Sequence, residues 1–116
     1  VSDSAYPALE TLTARSRALV ATDRPARYAK QLASHFGHKI LAEEIADGHR
    51  LTFNRDGNFG GYADILVQPL DGADRLILHV YAEDAEKRER LEQVVGGHLE
   101  RFGEKDGLVV TFTPGD

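Results

Sequence analysis

The chain has 116 residues and 12.8 kDa, about the length of one domain. Its 41% hydrophobic and 28% charged residues form an ordinary globular mixture, able to bury one core. The absence of cysteine excludes a disulfide framework, thiolate metal sites and a cysteine nucleophile, while the net charge of −5 makes nucleic acid a poor default partner.

Residues 1–14 are small and polar around Pro7 and read as a flexible arm or a short helical turn. A strand is expected over 17–21. Thr22 or Asp23 then offers an N-cap oxygen, and Pro25 suits a first helical turn because its missing N–H needs no partner there. The helix runs to about Phe36. Ala29, Leu32 and Phe36 share one face, and Gly37 can take the left-handed conformation that ends a helix. Strands are expected over 40–45, 49–53, 62–67 and 75–82, separated by Asp47-Gly48, Asp56-Gly57 and Asp71-Gly72. Such pairs favour tight hairpin turns.

Asp84 should cap a second helix reaching Phe102, with Leu91, Val94, Val95, Leu99 and Phe102 on its apolar side. Gly96-Gly97 inside it suggests close packing against the sheet, since each glycine costs ~1 kcal/mol relative to alanine. A last strand is expected over 108–113, and 114–116 form a tail. Residues 15–113 thus read as a single α+β domain of order β-α-β-β-β-β-α-β. Its mostly antiparallel sheet carries two helices on one face. The other face, around Ile77 and Tyr81, is a candidate surface for a homodimer or protein partner.

No catalytic signature stands out. There is no nucleophile elbow, phosphate loop or His-Glu-x-x-His, and Gly60-Gly61 reads as a bulge rather than a dinucleotide site. An enzyme is the least supported class. Glu43-Glu44 and Glu83-Asp84 read as solvated charge. Arg15, Arg17, Arg24, Arg27 and Lys30 form a potential basic patch, with the solvated sides of a strand and helix as the plainer reading. No apolar run approaches ~18 residues and no signal-peptide pattern opens the chain, so neither membrane nor export is expected and a cytoplasmic protein is the plain reading.

The five histidines carry the sharpest chemistry. His35 and His38 flank the expected helix end, and neutral imidazoles at that spacing suit a transition metal or haem. The plainer role is bonding the last carbonyls of the helix. His98 falls on the apolar side of the second helix, where it needs a partner or a cavity. Antiparallel helices lying level with one another would hold His98 on the order of 15 Å from His35. That leaves Asp56, Glu83 or Asp84 as carboxylates near His35, with Lys39 and Arg101 as candidate contacts for an anionic ligand.

Four stretches are similar to a known family. Residues 20–28 (VATDRPARY), with His35-Phe36-Gly37-His38-Lys39, His98-Leu99-Glu100-Arg101-Phe102 and the closing run Leu108-Val109-Val110-Thr111, resemble the bacterial domain of unknown function 2218 over about 16–113. Phe112 stands where many relatives would have tryptophan. The family has no settled activity, and the leading reading is a small non-catalytic accessory or binding domain. Because relatives occur beside siderophore-interacting flavin reductases, the resemblance implies an association with iron use, with such a reductase or an iron chelate as partner.

Overall fold

A computed structural model describes residues 7–55 and 58–115; Asp56, one of the candidate carboxylates, lies outside them. Six strands, two helices and two short 3-10 turns follow one another along the chain. The strands are β1 (Ala14–Val20), β2 (Leu41–Ile45), β3 (Gly48–Arg55), β4 (Asn58–Leu70), β5 (Ala73–Ala82) and β6 (Thr113–Pro114). The helices are α1 (Pro25–Gly37) and α2 (Ala85–Phe102), and the 3-10 turns are Leu9–Thr11 and Glu104–Asp106. The sheet order is β2-β3-β4-β5-β1-β6, antiparallel throughout. This is the expected α+β arrangement.

Turn chemistry fixes the hairpins. Asp71 and Gly72 both hold positive φ, so that Leu70 pairs with Ala73 across a two-residue turn. At the first hairpin only Asp47 is left-handed, and Gly48 already opens β3. A side chain at Gly48 would strike the Ile65 carbonyl, 1.9 Å from an ideal Cβ. Between Phe53 and Asn54 the β3–β4 register shifts, leaving Gly60 unpaired between Phe59 and Gly61. The two glycines make a bulge, as the sequence suggested.

The core lies between the sheet and the helices. Ala18, Val20, Leu51, Ala63, Ile65, Leu76 and Leu78 meet Tyr28, Ala29, Leu32, Ala33 and Phe36 of α1 and Val95 and Leu99 of α2. The amphipathic stripes read from the sequence are therefore the buried faces. Asp84 caps α2, accepting a bond from the Lys87 amide at 2.9 Å.

Several expectations need correction. Thr22 accepts the Arg24 amide but caps no helical N–H, and Arg24 itself occupies the N-cap. Gly37 stays inside α1, and the chain leaves through His38 in right-handed helical geometry. The last strand shrinks to Thr113–Pro114. Residues 108–112 lie outside the sheet, where Val110 and Phe112 pack on α2 at Gly96. Gly96 makes this possible, since an ideal Cβ there would lie 3.3 Å from both side chains. Its close packing is thus against the tail segment rather than the sheet, while Gly97 faces open space.

Candidate functional site

The histidines converge differently from the expectation. The His35 and His98 ring centroids are 5.0 Å apart, not the ~15 Å that level helices would give. His35 meets His98 and Phe102, while Tyr28, two turns earlier, bonds Asp106 beyond the end of α2. The helices therefore do run antiparallel, but they overlap only at their C-terminal ends. Level alignment was the wrong assumption.

Around the pair stand Phe36, 5.0 Å from His98 by ring centroids, and Phe102, 5.4 Å from His35; Phe53 of β3 packs on Phe36. His98 Nδ1–H donates to the Val94 carbonyl at 2.6 Å. His35 Nε2 is buried without a hydrogen-bond partner. Burial pushes the His35 imidazole below the usual histidine range, and His98, Lys39 and His38 push it further.

The other candidates do not join this cluster. His38 and Lys39 are exposed at the end of α1, and Arg101 is exposed in the last turn of α2. Glu83 pairs with Lys87 and Asp84 is committed to its cap. Both acidic groups lie at the start of α2, about 20 Å along its axis from His98. They cannot serve His35. Among the described residues no group of three or more His, Asp or Glu comes together to hold a metal ion. The two half-buried imidazoles, one with its Nε2 closed off, stand without a third such ligand beside them.

A second neighbourhood was not legible as a site. Strand alternation sends Arg15, Arg17 and Leu19 of β1, Arg50 and Thr52 of β3, Tyr62 and Asp64 of β4, and His79 and Tyr81 of β5 to the face opposite both helices. Asp64 is only 4% exposed there. The Arg50 guanidinium bonds both its oxygens, at 2.7 and 2.8 Å. Arg50 also lies over the Tyr62 ring at 5.8 Å, and Arg15 over Tyr81 at 5.2 Å.

Cross-strand register puts His79 between Asp64 and Arg17, with its ring stacked on Tyr81 at 6.0 Å. Burial lowers the His79 pKa, Asp64 pulls it back and Arg17 adds to the lowering. Burial and then Asp64 raise that of Tyr81. The opening residues cross one corner of this face. Tyr62 donates to the Pro7 carbonyl at 2.6 Å, and Arg15 to those of Leu12 and Leu9. A depression of about 260 Å³ remains there, lined by Leu9, Leu41, Glu43, Arg50, Thr52 and Tyr62.

Apolar side chains ring the polar centre. Of the exposed large hydrophobics among the described residues, Leu19 (53%), Leu41 (46%) and Leu70 (41%) belong to this face; Val109 does not. Ile77, expected at the middle of an apolar patch, is itself buried. The potential basic patch divides: Arg15 and Arg17 lie on the helix-free face, and Arg24, Arg27 and Lys30 are exposed at and along α1.

The family described as an uncharacterized protein conserved in bacteria (DUF2218) matches residues 17–113, most of the chain, and the chain belongs to it. A search of the curated proteins finds no match. Among the described residues no helix is long and apolar enough to cross a membrane.

Proposed function

We propose that this DUF2218 domain is a non-catalytic binding module whose helix-free sheet face receives an acidic protein segment. The observation behind the reading is the composition of that face: arginines beside tyrosines at its centre and exposed leucines at its rim. Arginine and tyrosine are favoured anchors in interfaces, and a rim that excludes water strengthens the charge contacts inside it.

Charge selects the occupant. Among the described strand residues the face carries Arg15, Arg17, Arg50 and Arg75 against Glu43 and Asp64, a formal +2. The other described residues, Arg55 aside, carry nine basic against fourteen acidic groups, a formal −5. A second copy meeting face to face would bring like charges together, so dimerisation through this surface is disfavoured. A nucleic-acid strand would extend its phosphates beyond the face toward that acidic remainder. A short acidic segment meets only the cations. The iron association implied by the family resemblance enters through the same chemistry, because many ferric chelates are anions.

The test is an amide NMR titration with a short peptide of alternating Glu and Val. Saturable shifts confined to β1, β4 and β5, weakened by salt and lost in Arg15→Glu/Arg17→Glu, are expected. A single-stranded oligonucleotide and ferric citrate serve as comparison ligands. Tighter binding of either, absence of saturation, or equal binding by the double variant would overturn the reading.

A further inference from the structure

We infer that the junction of α1 and α2 is an acid-released latch, closed only while His35 is uncharged. The geometry leaves no room for a proton. His98 already uses Nδ1–H on the Val94 carbonyl, and His35 Nε2 is buried with nothing to accept a hydrogen from it. A proton added to His35 at that atom would be an N–H without a partner, in an aromatic setting 5.0 Å from a second imidazole.

No neighbouring charge compensates. The groups bearing on His35 are His98 from α2, and Lys39 and His38 from the end of its own helix. Each is neutral or cationic. From β3 the packed residue is Phe53, flanked by Thr52 and Asn54. From β2, Ala42 reaches the end of α1 at Gly37; Glu43 belongs to the other face, and Glu44 stands opposite His49. Along α2, Glu100 accepts the Val110 amide, and Arg101 is exposed. The depressed His35 pKa has the same origin.

Opening the latch would uncover Phe36 and Phe102, the aromatic residues that flank both imidazoles. The device differs from the proposed binding face, which lies on the other side of the sheet, so either can fail alone.

The experiment follows the imidazole NMR signals and amide exchange of the whole chain from about pH 7.5 to 5. As pH falls, exchange at residues 33–37 and 94–102 should accelerate, while the His35 ring of the closed form stays neutral below the usual histidine range. The ceiling is tenfold per pH unit below the free imidazole pKa of ~6.5, hence about thirty-fold at pH 5. His35→Phe should remove most of this response, with His35→Leu as the alternative variant. A closed-form His35 ring titrating at ~6.5 without faster exchange would overturn the latch. So would a wild-type acid response in both variants. If neither variant folds, the wild-type titration decides alone.

Discussion

Arg50→Ala should be among the most damaging single changes on the helix-free face, although Arg50 is partly solvated. Its partner Asp64 is 4% exposed and receives both guanidinium bonds. Truncating Arg50 leaves a buried carboxylate without its counter-ion, a loss of about 3–5 kcal/mol for a fully buried pair. The Arg50 side chain is 29% exposed, so water can partly replace it, and about 2–3 kcal/mol is the expected cost. With an unfolding entropy of ~2.1 cal/mol/K per residue, a chain of this length should lose roughly 10 °C in Tm. Arg50→Met/Asp64→Leu should recover most of the loss, because it removes the buried charge along with its partner. Thermal and urea unfolding of wild type, single and double variants measure the difference. A single variant within about 0.5 kcal/mol of wild type, the ordinary surface range, would refute the reasoning. A double variant as unstable as the single would do the same.

Glycine substitutions separate close packing from helix propensity. Gly97→Ala should stabilise by about 0.5–1 kcal/mol in chemical denaturation, because its Cβ meets nothing within 4 Å. Gly61→Ala should cost roughly 3 kcal/mol, since its φ is +135° and its Cβ would lie 2.4 Å from the Tyr81 carbonyl oxygen. Asp84→Ala removes the acceptor for the Lys87 amide and should cost about 1 kcal/mol, with helicity lost first at the start of α2 in amide exchange. The lowered pKa values of His35 and His79 set the sign of an acid effect: the unfolded chain binds the proton more readily. Stability is fully present above ~6.5 and falls as pH drops below it, until each folded-state pKa is passed. Urea midpoints across this window should show a smaller slope in His79→Gln.

The local elements were legible because each has a local cause. Asp84 caps α2 by its own side chain, and the apolar spacing of α1 and α2 is the spacing of their buried faces. The failures lie where one residue shifts everything beyond it. A plain hairpin about Asp56-Gly57, continuing the Arg55–Asn58 pairing, would set Arg50 opposite Ala63. The unpaired Gly60 moves the register by one and brings Asp64 opposite Arg50. Asp64 inside the run Tyr62-Ala63-Asp64-Ile65-Leu66-Val67 was the available signal, an ionisable residue in an otherwise apolar strand. Histidine placement failed for a different reason. Strand reversals give a helix its direction but not its position along the sheet, and the axial offset of α2 decides that His98 meets His35.

The same distinction governs what net charge can say about partners. A formal −5 describes the field far from the molecule, beyond about one Debye length of ~8 Å at physiological salt. At contact, the relevant quantity is the charge of the surface that is touched. Here β pairing collects Arg15, Arg17, Arg50 and Arg75, widely separated in sequence, onto one face, while the acidic excess of residues 61–116 lies largely elsewhere. If the face binds as proposed, the acidic remainder would act as a selector. It would repel long polyanions approaching from a distance and leave the arginine–tyrosine face to short acidic segments whose charges lie within reach of those cations.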